Sequence, residues 1–262
     1  RQIFRRGRIG FGDWRLRVNP ALGGSVAGLW LGGTPILRTA PDKASHVDQC
    51  AAYPLLPYSN RIGHGRLSWR GQDFHLRNGF SDEPHALHGV GFMHAWNAVA
   101  HSASCLQLEM IHQPDAYWPF AFSATQQFEL STAGLRVSLR LRNTDSRTQP
   151  MGLGWHPFFV RRADSTLDVP VHTRWPSGED KLPLAPRAVD RLRGAVGELC
   201  LDDCCEGMHH AEAVLSDAIL RVTLQADSRF WVDYTPMDAP FYCVEPVTHL
   251  SNALQQPDPL QH

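Results

Sequence analysis

Leu135-Arg136-Val137-Ser138-Leu139-Arg140-Leu141-Arg142 alternates without a fault, with every odd position apolar and every even position polar. Side chains along an extended chain point to opposite faces in turn, so this octet is a strand with one buried face and one wet face. It stops at Asn143-Thr144-Asp145, residues that favour turns. The same period runs through Leu106, Leu108 and Met110, with Gln107 and Glu109 between them, and through Phe122, Ala124, Gln126, Phe128 and Leu130. Further out, Leu67-Ser68-Trp69 and Phe74-His75-Leu76 flank Arg70-Gly71-Gln72-Asp73 as a hairpin. Val214-Leu215 and Ile219-Leu220-Arg221-Val222-Thr223-Leu224 flank Ser216-Asp217 as another. No window of three turns favours helical spacing over alternation. With 21 Gly and 19 Pro spread along the chain, the reading is all-β: many short strands in a sandwich or barrel.

The 262 residues are 43% hydrophobic and 19% charged, which supplies a sizeable core and too little charge for disorder. No repeat, low-complexity tract or linker divides the chain, so one domain over residues 1–262 is expected. The polar, proline-bearing span from Trp175 to Arg193 reads as a long surface loop. A net charge of −1 argues against a nucleic acid or an anionic membrane as partner. Lys43 and Lys181 are the only lysines. The arginine bias suits phosphate or carboxylate binding, but a biased genome composition is the better explanation. No apolar run reaches the roughly 18 residues of a membrane-spanning helix. The basic start, Arg1 to Arg6, has no apolar stretch behind it and does not read as a signal peptide. Cys50, Cys105, Cys200, Cys204, Cys205 and Cys243 form no small-domain disulfide framework, so reduced thiols in the cytoplasm are expected.

Two stretches carry candidate chemistry. Gly154-Trp155-His156-Pro157-Phe158-Phe159 sets an imidazole between an indole and a Pro-Phe-Phe corner, and Val244-Glu245-Pro246-Val247-Thr248-His249 sets a carboxylate against a proline. A partly desolvated histidine held in one orientation titrates near neutral pH and serves as a general acid; a satisfied core histidine has the same signature. Glu245 ends the apolar run Phe241-Tyr242-Cys243-Val244, where burial makes a carboxylate a better base. An ion pair with an arginine is the plainer alternative.

Arg61, in Tyr58-Ser59-Asn60-Arg61-Ile62-Gly63, presents a planar fork for two sugar oxygens or for turn carbonyls, with Asn60 fixing the turn. His85-Ala86-Leu87-His88-Gly89 has histidines three apart, near Asp82, Glu83 and His94. On a strand such positions face opposite ways, so a metal site is not expected there. His88 reads instead as a neutral donor to a ligand oxygen, approached closely across Gly89. Leu201-Asp202-Asp203-Cys204-Cys205, with His209 and His210, matches no structural zinc spacing.

In this order, these blocks resemble the aldose 1-epimerases, or galactose mutarotases. The resemblance runs from Leu22-Gly23-Gly24-Ser25 to Thr248-His249. It rests on Asn60-Arg61-Ile62, Leu87-His88-Gly89, Trp155-His156-Pro157-Phe158-Phe159, Leu201-Asp202-Asp203 and Val244-Glu245-Pro246. It implies a large antiparallel β-sandwich, the galactose mutarotase-like supersandwich, with few short helices and a sugar cleft on one sheet. It also implies Glu245 as the base that takes the C1 hydroxyl proton and His156 as the acid that protonates the ring oxygen. The ring opens to the free aldehyde and recloses on the other face. Arg61 and His88 resemble the residues that hydrogen-bond the ring oxygen and its neighbours, and Asp202 resembles a sugar-hydroxyl acceptor, with Asp203 one position away. Asn60 and Trp155 are further expected substrate contacts, the indole of Trp155 or of Trp231 either stacking on an apolar sugar face or packing in the core. No metal or organic cofactor is required, because no electrons move. The chain is similar to the shorter bacterial branch of the family, which leaves the particular aldose open.

Four other readings stay open at this point. A hexose-6-phosphate 1-epimerase would clamp phosphate with arginines. A non-catalytic carbohydrate-binding β-sandwich would need neither His156 nor Glu245. A glycoside hydrolase would use Glu245 and Asp202 about the glycosidic bond, and a metal-dependent isomerase would carry about one ion per chain. None of these features encodes an oligomeric state.

Overall fold

The computed structural model describes residues 7–262; the N-terminal stretch read above for a signal peptide lies outside the described residues. The alternating segments are strands, as expected. Asn97–His101, Cys105–His112, Phe122–Ser131 and Gly134–Asn143 form a four-stranded antiparallel sheet. Leu106 opposes Phe128 and Met110 opposes Ala124, so the register keeps the apolar set on one face. A second four-stranded sheet contains Leu192–Ala195, Thr166–Val169, Glu212–Ser216 and Arg221–Gln225.

Both expected hairpins form, with shifted ends. Arg66–Trp69 pairs with Gln72–His75 across Arg70-Gly71, whose φ angles of 51° and 77° match a tight hairpin turn, so Gln72 and Asp73 join the strand. In the second hairpin Ile219 and Leu220 stay in the turn, because Asp217 Oδ1 accepts both their amides at 2.8 and 2.9 Å. The span after Trp175 is largely exposed, but Arg187–Ala188 pairs with Val171–Trp175 as an edge strand.

At the centre lies a sheet of twelve strands among the described residues. Its middle runs Ala52–Leu55, Gly154–Pro157, Phe241–Val247, Phe230–Tyr234 and Asp202–Gly207. These strands are buried on both faces, so alternation gives way to nearly continuous apolar runs. Through Trp231, Tyr242 and Val244, one face joins the core that includes Leu106, Phe128 and Leu215 of the smaller sheets. The opposite face carries Tyr53, Phe158, Val232, Cys243 and Val247. Among the described residues, helix is limited to Val196–Leu199 and short 3-10 turns. The architecture is an all-β antiparallel sandwich. Among the described residues no helix is long and apolar enough to cross a membrane.

Two carboxyls, Asp203 and Asp233, interrupt the core-side face. Asp233 is fully buried opposite Asp203, and neither of its oxygens has a nitrogen or oxygen partner. Burial pushes its pKa up to about 7. A folded-state value above the unfolded one costs stability as pH rises from about 4 towards 7, and the deficit is constant beyond. Asp233→Asn removes this proton-linked cost. Its stability relative to wild type in urea unfolding is expected to rise by roughly 2–3 kcal/mol between pH 5 and pH 8; a gap that ignores pH would mean the carboxyl titrates normally.

Candidate active site

A single strand register builds the site. Gly154 pairs with Val247 and Phe159 with Tyr242, which sets His156 opposite Glu245 and Phe158 opposite Cys243. Tyr53 pairs with His156, Val232 with Glu245, Tyr234 with Cys243, and Asp202 with Tyr234. Residues opposite each other, or two apart on one strand, share a face. Tyr53, His156 and Glu245 therefore form one row, and Phe158, Cys243, Tyr234 and Asp202 the next, on the face away from the main sandwich core. The strand also continues past Glu245 to Val247, so the carboxyl sits mid-strand rather than at the strand end expected from the sequence.

The same parity corrects one expected substrate contact. Trp155 pairs with Pro54, packs on the main core and leaves its indole nitrogen unpartnered. As the immediate neighbour of His156 it cannot share the face of that imidazole, and Trp231, fully buried in the main core, cannot either. Parity also separates the two aspartates. Asp203 is tied to Arg174 Nε at 2.6 Å and Ser177 N at 2.8 Å. Asp202 lies on the same face of the sheet as His156 and Glu245; burial raises its pKa, and the charges of Arg61 and Lys181 oppose the rise.

Asn60, Arg61 and His88 come from the short Arg61–Ile62 and Ala86–Leu87 pair and the turns beside it. Asn60 and His88 take left-handed φ values of 58° and 63°, tolerated by asparagine and uncommon for histidine. They lock each other: Asn60 N–H donates to His88 Nδ1 at 3.2 Å, and His88 N–H donates to Asn60 O at 2.9 Å. Because Nδ1 accepts, the neutral ring carries its hydrogen on Nε2, and His88 is a donor. Burial, then the neighbouring His156 and Arg61, push its pKa well down.

Arg61 departs from expectation. Its Nε donates to Glu83 Oε1 at 2.8 Å, its Nη2 to Glu83 Oε2 at 3.3 Å, and its Nη1 to Asn60 Oδ1 at 3.1 Å. Three of the five guanidinium N–H groups are thereby engaged, which leaves two for a ligand. Asn60 is a brace for Arg61 and His88.

His156 Nε2 lies 3.4 Å from Glu245 Oε1, with the two residues 7% and 2% exposed. His156 Nδ1 and Glu245 Oε2 have no partner. The imidazole stacks on Phe158 with centroids 4.5 Å apart and on Tyr53 at 4.8 Å, and meets His88 edge-on at 5.4 Å. The Arg38 guanidinium sits 3.6 Å from the Phe158 centroid and donates to the carbonyls of Cys50 and Asp48. Two planar groups cannot occupy one face of a phenyl ring, so Phe158 is sandwiched between imidazole and guanidinium.

Burial pushes the His156 pKa down to about 3, with Arg38 adding to it. Burial pushes Glu245 well up, Asp202 and Asp233 add to the rise, and Arg61 opposes it. The expectation of an imidazole that titrates near neutrality is corrected: an enclosed ring has no water to solvate the imidazolium.

The aldose 1-epimerase family model matches residues 18–255. The chain belongs to the aldose 1-epimerase family. It is 27% identical over 270 residues to the uncharacterized protein YphB of Escherichia coli K12, covering 95% of this chain and 90% of that one. Among solved structures it is similar to a candidate aldose 1-epimerase from Escherichia coli K12, with a TM-score of 0.87 at 23% identity, covering 96% of this chain and 90% of that one. A galactose mutarotase-like protein from Clostridium acetobutylicum gives 0.82 at 20%, covering 95% and 86%. Galactose 1-epimerase from Lactobacillus acidophilus gives 0.79 at 14%, covering 96% and 87%. At these identities the structures speak for the fold.

Among the described residues, the histidines and cysteines of the two blocks weighed as metal sites do not converge. His85 Nδ1 accepts from His64 N at 2.9 Å and its Nε2 reaches Asp180 O at 2.9 Å, while His94 pairs with His112 at 3.1 Å. Cys204 and Cys205 face opposite sides. A different group does converge: His156, Cys243 and Glu245 each place one possible ligand atom within 4.8 Å of the others. Cys243 was available from sequence by counting back two from Glu245. Glu83 stood beside the histidine block without a role, and nothing local marked Tyr53 or Arg38. A cavity of about 120 Å³, lined by Tyr58, Trp69, Trp118 and Met151 and reaching Arg61, touches neither His156 nor Glu245.

The enclosed ring has a direct signature. Nitrogen chemical shifts of the His156 imidazole are expected to show a neutral ring from pH 8 down to about pH 4; a midpoint near 6.5 would show that water reaches the ring.

Proposed function

We propose that this protein is an aldose 1-epimerase that interconverts the α and β anomers of a free hexose by opening and reclosing the ring. The observation that carries this reading is the buried cross-strand pair of His156 and Glu245, 3.4 Å apart, each with an unpartnered polar atom. Glu245 takes the proton of the C1 hydroxyl and His156 delivers one to the ring oxygen. The C1–O5 bond breaks, the aldehyde end rotates about C1–C2, and closure on the other face reverses both transfers. One proton leaves and one arrives, and no electron passes to a cofactor. His88 Nε2–H and the two free N–H groups of Arg61 donate to the ring oxygen and its neighbours, and Asp202 accepts from a sugar hydroxyl.

Burial refines this scheme. Imidazolium with carboxylate, and imidazole with carboxylic acid, hold the same number of protons and differ only in where one sits. Burial favours the neutral form in the free site, and that is the form reached once the ring has opened. Before opening, a proton passes from Glu245 to His156. The Arg61 charge and the sugar hydroxyls stabilise the resulting ion pair. A purely carbohydrate-binding role would require neither member of the pair.

Polarimetry of freshly dissolved α-D-glucose and α-D-galactose, with and without EDTA, tests the reading: the rotation is expected to decay faster with protein to the same final value. Glu245→Gln is expected to abolish the acceleration, and His156→Asn to cost at least about 10²-fold. Near-normal rates in either variant would remove the proposed role. Glu83→Ala, which releases Arg61, is expected to lower kcat/KM about 10-fold, and an unchanged value would show that Arg61 needs no brace.

A further inference from the structure

Cys243 has no part in that scheme, yet it lies two residues before Glu245 on the same strand and on the same face. We propose that His156, Cys243 and Glu245 form a binding site for a borderline-soft divalent cation, zinc above all, through which the metal reversibly blocks the cleft. The blocking effect rests on the reading of His156 and Glu245 as the acid–base pair; the binding site does not.

Three observations point this way. One possible ligand atom from each residue lies within 4.8 Å of the other two. Tetrahedral zinc, with sulfur at about 2.3 Å and nitrogen or oxygen at about 2.0–2.2 Å, needs ligand atoms roughly 3.3–3.8 Å apart. Binding therefore draws the three ligand atoms together by about 1 Å. All three residues are buried, at 7%, 0% and 2% exposed, so the ligands come from rigid neighbouring strands rather than from mobile loops. Glu245 Oε2 is already unpartnered, so a cation would satisfy a carboxylate oxygen that the protein alone leaves without a partner.

The donor set selects the ion. A thiolate, an imidazole and a carboxylate suit zinc or cadmium, whereas magnesium and calcium prefer an all-oxygen shell. With thiolate and carboxylate ionised, a divalent cation makes the cluster neutral, the state that burial favours. Binding releases the thiol proton to solvent, and the carboxyl proton where Glu245 holds one. Three protein ligands leave a fourth position for water or a sugar hydroxyl. The metal occupies the lone pairs that would move protons, so it inhibits.

The test is calorimetric titration of Zn²⁺ alone into the metal-free 262-residue chain, with Mg²⁺ as control. One zinc per chain, proton release and at least about 10-fold weaker binding in a folded Cys243→Ala are expected. Zinc should also slow wild-type mutarotation, EDTA should restore it, and Cys243→Ala should turn over in zinc that stops wild type. Cobalt on the wild type gives a check that needs no variant: a thiolate-to-metal charge-transfer band is expected. No stoichiometric zinc binding, binding indifferent to Cys243→Ala, or bound cobalt without that band would overturn the site. Intact zinc binding with no mutarotation on any aldose would overturn the proposed function and leave the site standing.

Discussion

The site depends on one constraint: the register between the strand segments around His156 and the strand Phe241–Val247. It is held from Gly154↔Val247 through Phe159↔Tyr242, and it decides which side chains meet. A slip of one residue would turn Glu245 and Cys243 to the sandwich core and bring Val244 into the cleft, because side chains repeat every two residues. The two apolar faces make such a slip costly. Trp231, Tyr242 and Val244 fill the core on one side, and Phe230, Val232 and Val247 pack on the other. The cores fix the chemistry because they fix the register.

A sheet face is a dry place for acid–base groups, and the consequences run through every polar contact here. His156 and Glu245 lose their water, so the neutral forms of both are favoured. His88 is kept neutral by the same burial and turned into a donor by the Asn60 amide. Arg61 remains in so enclosed a setting because Glu83 accepts two of its N–H groups. An unbraced guanidinium there would turn away or bind the nearest carboxyl, and Asp202 and Glu245 are both close enough for its charge to be felt.

Much of this was legible in the sequence. The alternation of Leu135 to Arg142 and its neighbours identified strands with one wet face, and those strands are the outer sheet. The motif residues Asn60, Arg61, His88, His156, Asp202 and Glu245 come to one side of the central sheet. Local pattern could not supply the pairing of distant strands. Trp155 looked like a cleft residue because it adjoins His156, and adjacency on a strand is what sends it to the opposite face. Glu83 meets Arg61 across a loop, Arg38 packs on the distant Phe158, and Tyr53 meets His156 across a strand pair formed by residues about a hundred positions apart. The near-neutral pKa expected for His156 failed for the same reason, since burial is a property of the assembled fold.

Two buried carboxyls stand back to back across the central sheet. Asp233 pairs with Val244, the residue before Glu245, and points to the sandwich core while Glu245 points to the cleft. Asp233 is among the charges that push Glu245 upward, and its own pKa lies at about 7. Below that value Asp233 is neutral and leaves Glu245 to burial and Asp202. Above it, a negative charge forms behind the strand and holds the proton on Glu245 more tightly, which favours the neutral imidazole and carboxylic acid pair. The core-side carboxyl that costs the fold stability as pH rises therefore also biases the protonation of the cleft, and a single layer of strands transmits one effect to the other.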